Sequence, residues 1–193
     1  ASLEQYDVAP LQAFGYACTG STYLVGSDKE KEVTETLAAR FGYPIITSAQ
    51  AIRMALDHLG VRRIALLAPY PQWMVDQSHA YWEQVGLTVV DAARTMLDTE
   101  DTRNVYDIKA DMVLQACAAL NHSSADAILL TGTGMPTLRA ILELSRMHRK
   151  PVLSSNLCLA WALLRSIDAT YPAPDPEQGE VLLGGWAQKA ALL

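Results

Sequence analysis

Residues 60–71 read Gly-Val-Arg-Arg-Ile-Ala-Leu-Leu-Ala-Pro-Tyr-Pro, and these residues indicate the fold class. Arg63–Ala68 is a short apolar run, which is typical of a strand that is buried in a parallel sheet. Gly60 stands where a preceding helix would end, and Tyr70-Pro71 predicts a turn directly after the strand. A helix, a strand and a turn in this order form the repeating unit of an α/β fold.

Strand and helix patterns alternate on both sides of this unit. We predict strands at Leu11–Ala17, Pro44–Thr47, Leu87–Asp91, Ala127–Leu130 and Val152–Ser154. Helices are predicted from the charged segment that runs to Arg40 and at Ala49–Leu59, Val75–Val85, Ile108–Leu120, Thr137–His148 and Leu157–Ile167. This alternation predicts parallel sheets with helices on both faces, and ligands in such folds bind at the carboxyl ends of the strands.

Two segments of the chain share one plan. Residues 18–60 and 132–166 each run from a small polar loop through a helix to a Pro-led strand, Pro44-Ile-Ile-Thr-Ser48 in one and Pro151-Val-Leu-Ser-Ser155 in the other. We therefore expect a duplicated architecture, with a first α/β half at residues 1–60 and a second at 61–167. The tail at 168–193 is expected to pack on the first half. Facing halves would place the loop at Cys18 opposite the loop at Gly132.

Composition narrows the classes of partner. The 193 residues carry a formal charge of −6 and have no basic stripe, so a nucleic-acid or membrane-surface partner is not expected. There is no apolar run of about 20 residues and no signal-peptide pattern. We expect a soluble, cytoplasmic protein. The tail is a candidate subunit contact, so a homo-oligomer is one expected state.

Cofactor signatures are missing from the sequence. The four histidines, His58, His79, His122 and His148, show no spacing typical of metal ligands, and no glycine-rich phosphate loop occurs. The three cysteines form no CxxC pair, which favours a reducing compartment over a disulfide framework. We expect neither a metal nor an organic cofactor, so the chemistry must come from side chains.

Cys18 is the candidate reactive group. It follows a predicted strand and precedes a helix, a setting in which backbone N–H groups favour a reactive thiol and bind carboxylates. Thr19 and Ser21 add hydroxyl donors, while Gly132, Thr133 and Gly134 offer small residues on the matching loop. Structural alternatives stay open: a lone cysteine is often a buried apolar residue, and the glycines and hydroxyls also suit turns and close packing. Tyr70 at a strand end fits a site role and a packing role equally well.

Four stretches resemble the aspartate/glutamate racemase superfamily, in the branch that holds maleate cis-trans isomerases and arylmalonate decarboxylases. They are Tyr16-Ala-Cys-Thr-Gly-Ser-Thr22, Gly60-Val-Arg-Arg-Ile-Ala-Leu-Leu-Ala-Pro-Tyr70, Ala125-Asp-Ala-Ile-Leu-Leu130 and Lys150-Pro-Val-Leu-Ser-Ser-Asn156. The resemblance implies two flavodoxin-like halves related by a pseudo-twofold axis, a cleft between them, and no cofactor. Members begin with a further strand–helix–strand portion that this chain lacks, so the first half is expected to be incomplete.

The resemblance also assigns the candidate site. Racemases and isomerases of the superfamily carry one cysteine on each loop; Cys18 matches the first, and Gly132 occupies the position of the second. Thr19 and Ser21 match hydroxyl positions of the carboxylate pocket, Tyr70 its tyrosine and Asn156 a position beside the site. The predicted substrate-binding set, with the backbone of both loops included, is Thr19, Gly20, Ser21, Tyr70, Gly132, Thr133 and Asn156.

The presence of only one cysteine, Cys18, on the two candidate loops favours reactions that need a single thiol. Two-thiol racemisation is disfavoured, and we expect a decarboxylase of a small malonate-type dicarboxylate in which Cys18 donates a proton. The alternative is a maleate-type cis-trans isomerase or racemase that uses Cys18 as nucleophile or base. A third interpretation, from another class, is a degenerate protein that binds carboxylates without catalysis.

Overall fold

The computed structural model describes residues 3–6, 8–95 and 100–190, and their architecture is α/β. The strands are β1 (Phe14–Tyr16), β2 (Ile45–Thr47), β3 (Arg63–Ala68), β4 (Thr88–Arg94), β5 (Ala127–Leu130) and β6 (Val152–Ser154). The helices are α1 (Thr19–Val25), α2 (Ser27–Phe41), α3 (Ser48–His58), α4 (Gln72–Gln84), α5 (Ala110–Ala118), α6 (Leu138–His148), α7 (Ser155–Ser166) and α8 (Ala187–Ala190). Short 3-10 turns occupy Leu3–Tyr6, Thr102–Asp107 and Pro176–Gln178.

The strands form two parallel sheets. One pairs β1 with β2, and the other has the order β4-β3-β5-β6. Leu67 lies opposite Leu130 across β3 and β5, and Leu130 lies opposite Ser154 across β5 and β6. This register brings the carboxyl ends of the neighbouring strands to one edge of the sheet. The loops that follow these strands therefore begin side by side, as the predicted parallel α/β fold requires.

Local sequence signals explain where the helices begin and end. The Thr47 hydroxyl accepts a hydrogen bond from the Gln50 N–H, and the Gln50 side chain bonds the Thr47 N–H, so α3 starts with a capping box. Helix α6 buries Ile141 and Leu144 and ends where Arg149 adopts a left-handed conformation, with φ 49°. Helices α3 and α7, which hold equivalent places in the two similar segments, pack against each other.

Several boundaries differ from the sequence prediction, and the largest differences lie at α1 and α5. Residues 19–22, predicted as a loop, form the first turn of α1, and Gly26, with φ 83°, separates α1 from α2. The helix predicted at Ile108–Leu120 is shorter, Ala110–Ala118, and is preceded by the unpredicted turn Thr102–Asp107. Glycine inside Thr-Gly-Ser-Thr suggested a turn, but hydroxyls that bond backward to a carbonyl let these residues begin a helix.

The C-terminal tail packs on α6. Ala187 and Ala190 bury Leu142 of α6, and Arg146 of the same helix donates a hydrogen bond to Gln178 at 2.8 Å. These contacts lie on a helix of the predicted second half, and the packing of the tail on the first half stays a prediction. The face of α6 that carries apolar Leu142 is covered by the few apolar residues of the tail. No helix within the described ranges is long and apolar enough to cross a membrane.

Candidate active site

Cys18 lies two residues after β1, at the N-terminal end of α1. Its backbone is extended, with φ −153° and ψ 97°, and its side chain is half-buried. The hydroxyls of Ser21 and Thr22 donate to the Cys18 carbonyl at 3.1 and 3.5 Å. The sulfur is therefore carried on a backbone that the first turn of α1 fixes. Ser21, predicted as a carboxylate donor, uses its hydroxyl in this turn and lies 3.4 Å from the Tyr16 hydroxyl.

Thr19 connects three loops. Its hydroxyl lies 3.0 Å from the Tyr70 hydroxyl, which follows β3, and accepts a hydrogen bond from the Gly132 N–H, which follows β5, at 3.3 Å. Thr19 is 1% exposed and Tyr70 9%. The loop at Cys18 and the loop at Gly132 thus lie together, as the duplicated sequence pattern predicts.

The Thr19 and Tyr70 hydroxyls have one proton that is available for a further hydrogen bond. Each hydroxyl carries one proton, but only one of the two protons is needed for the hydrogen bond between them. Burial raises the pKa of Tyr70 to about 12, an effect that the hydrogen bond with Thr19 partly offsets. Tyr70 therefore stays protonated at neutral pH. The pair can donate one hydrogen bond to an anion placed beside Cys18, which is near enough to Tyr70 to influence the pKa of the phenol.

Thr133 and Asn156 hold the second loop in place. The Thr133 hydroxyl donates to the carbonyl of Ala17 at 2.9 Å, and the Asn156 amide donates to the carbonyl of Thr133 at 2.9 Å. The loop after β5 is consequently tied to residues just before Cys18 and to the first turn of α7. Both predicted residues lie at the site, in contacts that position the loop.

Gly132 has a backbone that suits glycine. Its φ is 89°, and a Cβ placed there would lie 2.3 Å from Cγ of Pro69 and 2.6 Å from Cδ. Residues other than glycine rarely adopt such a φ, and the Pro69 ring occupies the space of the missing side chain. Position 132 therefore carries no second thiol to match Cys18, and the Pro69 ring fills the space that a side chain there would occupy.

Two residues beside the site were not predicted from the sequence. Pro69 fills the space next to Gly132, and the sulfur of Met74 lies 3.3 Å from a Cβ built at Gly20. Met74 is four residues after Tyr70, close to the start of α4, and both side chains lie near Gly20. The four-residue spacing between Tyr70 and Met74 could have predicted this position only if α4 had been expected to start at Gln72 rather than at Val75.

The other two cysteines are buried away from solvent. Burial raises the pKa of the Cys117 thiol to about 12 and raises that of Cys158 further. Both residues belong to the hydrophobic core. Within the described ranges, no group of three or more His, Cys, Asp or Glu side chains is arranged to hold a metal ion.

A cavity of about 500 Å³ lies next to the site, between β1, β2 and α2. Ser21 and Tyr16 contribute to its lining, and so does the buried carboxylate of Glu30, which accepts a hydrogen bond from Tyr81 at 2.8 Å. Among the described residues, its lining does not include Cys18 or Tyr70. The hydrogen-bonded group around Thr19 is thus separate from this cavity.

The sequence and the fold of this chain match known proteins. Residues 10–179 match the family model of arylmalonate decarboxylase. The chain belongs to the arylmalonate decarboxylase family. Its relatives include maleate isomerase of Nocardia farcinica, 31% identical over 186 residues that make up 93% of this chain and 72% of that protein. Arylmalonate decarboxylase of Bordetella bronchiseptica is 28% identical over 157 residues, or 76% of this chain and 61% of that protein.

Solved structures of arylmalonate decarboxylase family relatives share the fold. The maleate isomerase Iso from Pseudomonas putida S16 superposes with a TM-score of 0.84 at 27% identity and covers 94% of this chain and 73% of its own. A cysteine-to-serine mutant of the Nocardia farcinica maleate cis-trans isomerase, solved with a covalently bound succinylcysteine intermediate, gives a TM-score of 0.79 at 30% identity. That match covers 86% of this chain and 69% of the relative.

These relatives confirm several expectations from the sequence. The resemblance to the decarboxylase and isomerase branch is confirmed. The predictions of an α/β fold with parallel sheets and of an enzyme that is a decarboxylase or an isomerase are confirmed as well. The chain spans 54 to 72% of the length of the five relatives compared. The pseudo-twofold axis, the domain limits and the roles of the individual site residues stay predictions.

Proposed function

We propose that this chain catalyses cofactor-independent decarboxylation of a small malonate-type dicarboxylate, with Cys18 as the proton donor. The observation that carries the proposal is the pairing of Cys18 with Gly132. Cys18 on the first loop is a half-buried thiol, and Gly132 on the second loop has neither a side chain nor room for one beside Pro69. Decarboxylation requires protonation of one carbon from one side, and a single thiol suffices for it.

The Thr19 and Tyr70 hydroxyls supply the electrostatic part of the reaction. One substrate carboxylate accepts a hydrogen bond from the hydroxyl proton that this pair does not use between its two members. The N–H groups at the start of α1 are further donors to the same carboxylate. The bond from the central carbon to the other carboxylate breaks, carbon dioxide leaves, and the electron pair enters an enediolate on the retained carboxylate. Donors that are already in place stabilise this charge as it develops.

Cys18 completes the reaction. Its S–H proton passes to the central carbon, the enediolate returns to a carboxylate, and the resulting thiolate recovers a proton from water. The thiol must therefore be protonated when the substrate binds. No group on the opposite side supplies a second proton in this scheme, so protonation occurs from the Cys18 side alone.

Maleate-type cis-trans isomerisation is the second candidate. A relative that has lost one cysteine still carries a succinylcysteine, so a remaining cysteine in that protein forms the covalent adduct. In this chain Cys18 would add as a thiolate to the double bond of a cis-diacid, a proton would reach the neighbouring carbon, and rotation would precede elimination. Four relatives named maleate isomerase support this alternative.

Proton NMR of two incubations separates the candidates. Phenylmalonate should yield phenylacetate, maleate should persist, and Cys18→Ala should lower the rate by about 10²- to 10⁴-fold. Cys117→Ala is the matched control, because it removes a thiol from the core and should retain turnover. Fumarate from maleate without turnover of phenylmalonate would replace the decarboxylase with the isomerase. Full activity of Cys18→Ala would overturn both.

A further inference from the structure

A second cavity, of about 750 Å³, lies at the end of the molecule opposite the candidate site. It lies between the last turn of α6, the residues that lead into β6 and the tail at 176–181. Pro151, which directly precedes β6, contributes to its lining, whereas the loops of the site follow the strands. Cavities that bind small molecules have volumes of about 300 to 1,000 Å³, so this cavity is large enough for such a ligand.

The lining of this cavity is positively charged. Arg146, Arg149 and Lys150, which stand close together in the sequence, all contribute to it. Glu177 is the acidic residue among the described lining residues, so three positive charges face one negative charge. The chain as a whole carries a formal charge of −6. Positive charge is therefore concentrated at the cavity against the balance of the molecule, which favours an anionic ligand.

The basic side chains retain hydrogen-bond donors that the protein does not use. Arg146 donates one hydrogen bond, from Nη2 to Gln178 at 2.8 Å, and Lys150 donates two of its three N–H groups to backbone carbonyls. Among the described residues, none of the three basic residues forms an ion pair, and the Arg149 side chain forms no hydrogen bond. An arginine without an acidic partner keeps a planar set of donors that fits the oxygens of a phosphate or a carboxylate.

Basic residues in the last turn of a helix also have a structural explanation. They complement the negative end of the helix dipole, and Arg146 and His148 in the last turn of α6 fit this explanation. Arg149 is different, because it ends the helix in a left-handed conformation, with φ 49°, where glycine or asparagine is the usual residue. Helix termination alone does not require an arginine at this position. A residue that adopts an unfavourable backbone conformation and lines a cavity is a candidate for a binding role.

The spacing of the charges and the remaining lining indicate the class of anion. Three basic residues close together fit a compact head group that carries about two negative charges, as a phosphate monoester does at neutral pH. A dicarboxylate carries its two charges on separate groups and fits this arrangement less well. Apart from the charged residues and the buried Ser145, the described lining is apolar and consists of Leu59, Pro151, Pro176 and Val181. These apolar walls fit an organic group attached to the phosphate.

We propose that this cavity binds an organic phosphate monoester. The phosphate accepts hydrogen bonds from Arg146, Arg149 and Lys150, and the organic group lies against the apolar walls. The ligand bridges the end of α6 and the tail, since both contribute to the lining. This site goes beyond the proposed decarboxylation and does not depend on it, because none of the described lining residues belongs to the loops around Cys18 and Gly132.

Isothermal titration calorimetry with AMP, inorganic phosphate and adenosine tests the proposal. AMP should bind, inorganic phosphate should bind more weakly because it lacks the organic group, and adenosine should not bind. Arg149→Gln should weaken AMP binding by about tenfold or more, which is the effect expected for loss of a charge-assisted hydrogen bond. Arg139→Gln is the matched control, because it removes the same charge from the first turn of α6 and should leave the affinity for AMP unchanged. Cys18→Ala should bind AMP as the wild type does.

Four results would overturn the proposal. Absence of AMP binding at millimolar concentration would show that the cavity does not bind this class of ligand, and equal affinities for AMP and adenosine would show that the phosphate is not recognised. Displacement of AMP by malonate would place AMP at the candidate active site. Thermal unfolding of the unliganded variants tests the structural explanation: a lower unfolding temperature in Arg149→Gln with unchanged affinity for AMP would mean that Arg149 serves only the end of α6.

Discussion

At the scale of single residues, the three cysteines differ in exposure. Cys18 is half-buried at the start of α1, whereas Cys117 and Cys158 are buried and have raised pKa values. Because the thiolate is the reactive form, burial should make the last two inert. We expect iodoacetamide to label Cys18 first and malonate to slow that labelling, as followed by peptide mass spectrometry. Equal labelling of the three, unaffected by malonate, would remove Cys18 from the site.

The Tyr70 hydroxyl is the second residue whose role can be tested singly. Tyr70→Phe removes one of the two paired hydroxyls, so Thr19 keeps its bond from Gly132 but the hydrogen-bonded pair is lost. We expect kcat to fall by about 10²-fold while the fold persists, which is the usual cost of removing one oxyanion donor. Tyr43→Phe, which removes a phenol outside the site, is the control. Equal kcat values in both variants would contradict the role of Tyr70.

The Tyr70 phenol also links stability to alkaline pH. Its pKa is about 12 in the folded protein and near 10 in the unfolded chain, so the folded state retains its proton more strongly between these values. The contribution is complete below pH 10 and is lost as the pH rises towards 12. Urea unfolding at pH 8 and pH 11 should show a steeper loss in the wild type than in Tyr70→Phe. Parallel losses would mean that burial does not hold the proton on Tyr70.

At the scale of elements, the loop after β5 depends on glycine at position 132. Gly132→Ala places a Cβ at a φ of 89° and against Pro69. Gly42→Ala is the matched control, since Gly42 has a φ of 78° and open space around it. We expect the Gly132 variant to lose about 1 to 3 kcal/mol more unfolding free energy than the Gly42 variant, because overpacking adds to backbone strain. Equal losses would show that Pro69 does not restrict this position.

The elements were largely predictable because their signals are local. The strands Arg63–Ala68, Ala127–Leu130 and Val152–Ser154 lie where their apolar runs placed them. The start of α1 was not predictable, since Thr-Gly-Ser-Thr suits a turn until the Cys18 carbonyl is seen to accept two hydroxyls. The turn Thr102–Asp107 carries no periodic pattern, and its position depends on packing against Gly134. The facing loops predicted the meeting of Thr19 with Gly132, and the family resemblance placed Tyr70 beside Thr19, but the part played by Pro69 requires three-dimensional contacts.

At the scale of the whole molecule, the end opposite the site responds to acid. The His148 ring at the end of α6 is tilted by 52° against the His122 ring with centroids 4.0 Å apart, and Lys150 donates to the carbonyl of His122. Burial lowers the pKa of His148 below 6.5, and the charges of His122 and Lys150 lower it further. The unfolded chain therefore binds the proton more tightly, so stability is complete above pH 6.5 and falls as the pH drops below it.

The measurement is urea unfolding at pH 7.5 and pH 5.5. The wild type should lose more stability on acidification than His148→Gln, whose side chain does not titrate. An equal loss in the two proteins would place the acid response elsewhere in the molecule.

The proposed reaction requires that one thiol delivers one proton from one side of the substrate. The most direct test is the enantiomeric composition of the 2-phenylpropionate formed from 2-methyl-2-phenylmalonate, resolved by chiral chromatography. Position 132 is glycine, and a side chain there would clash with Pro69, so no second acid stands at that position and a single enantiomer should predominate, which should disappear with Cys18→Ala. Equal amounts of the two enantiomers, or the same product from Cys18→Ala, would contradict protonation by Cys18 from one side.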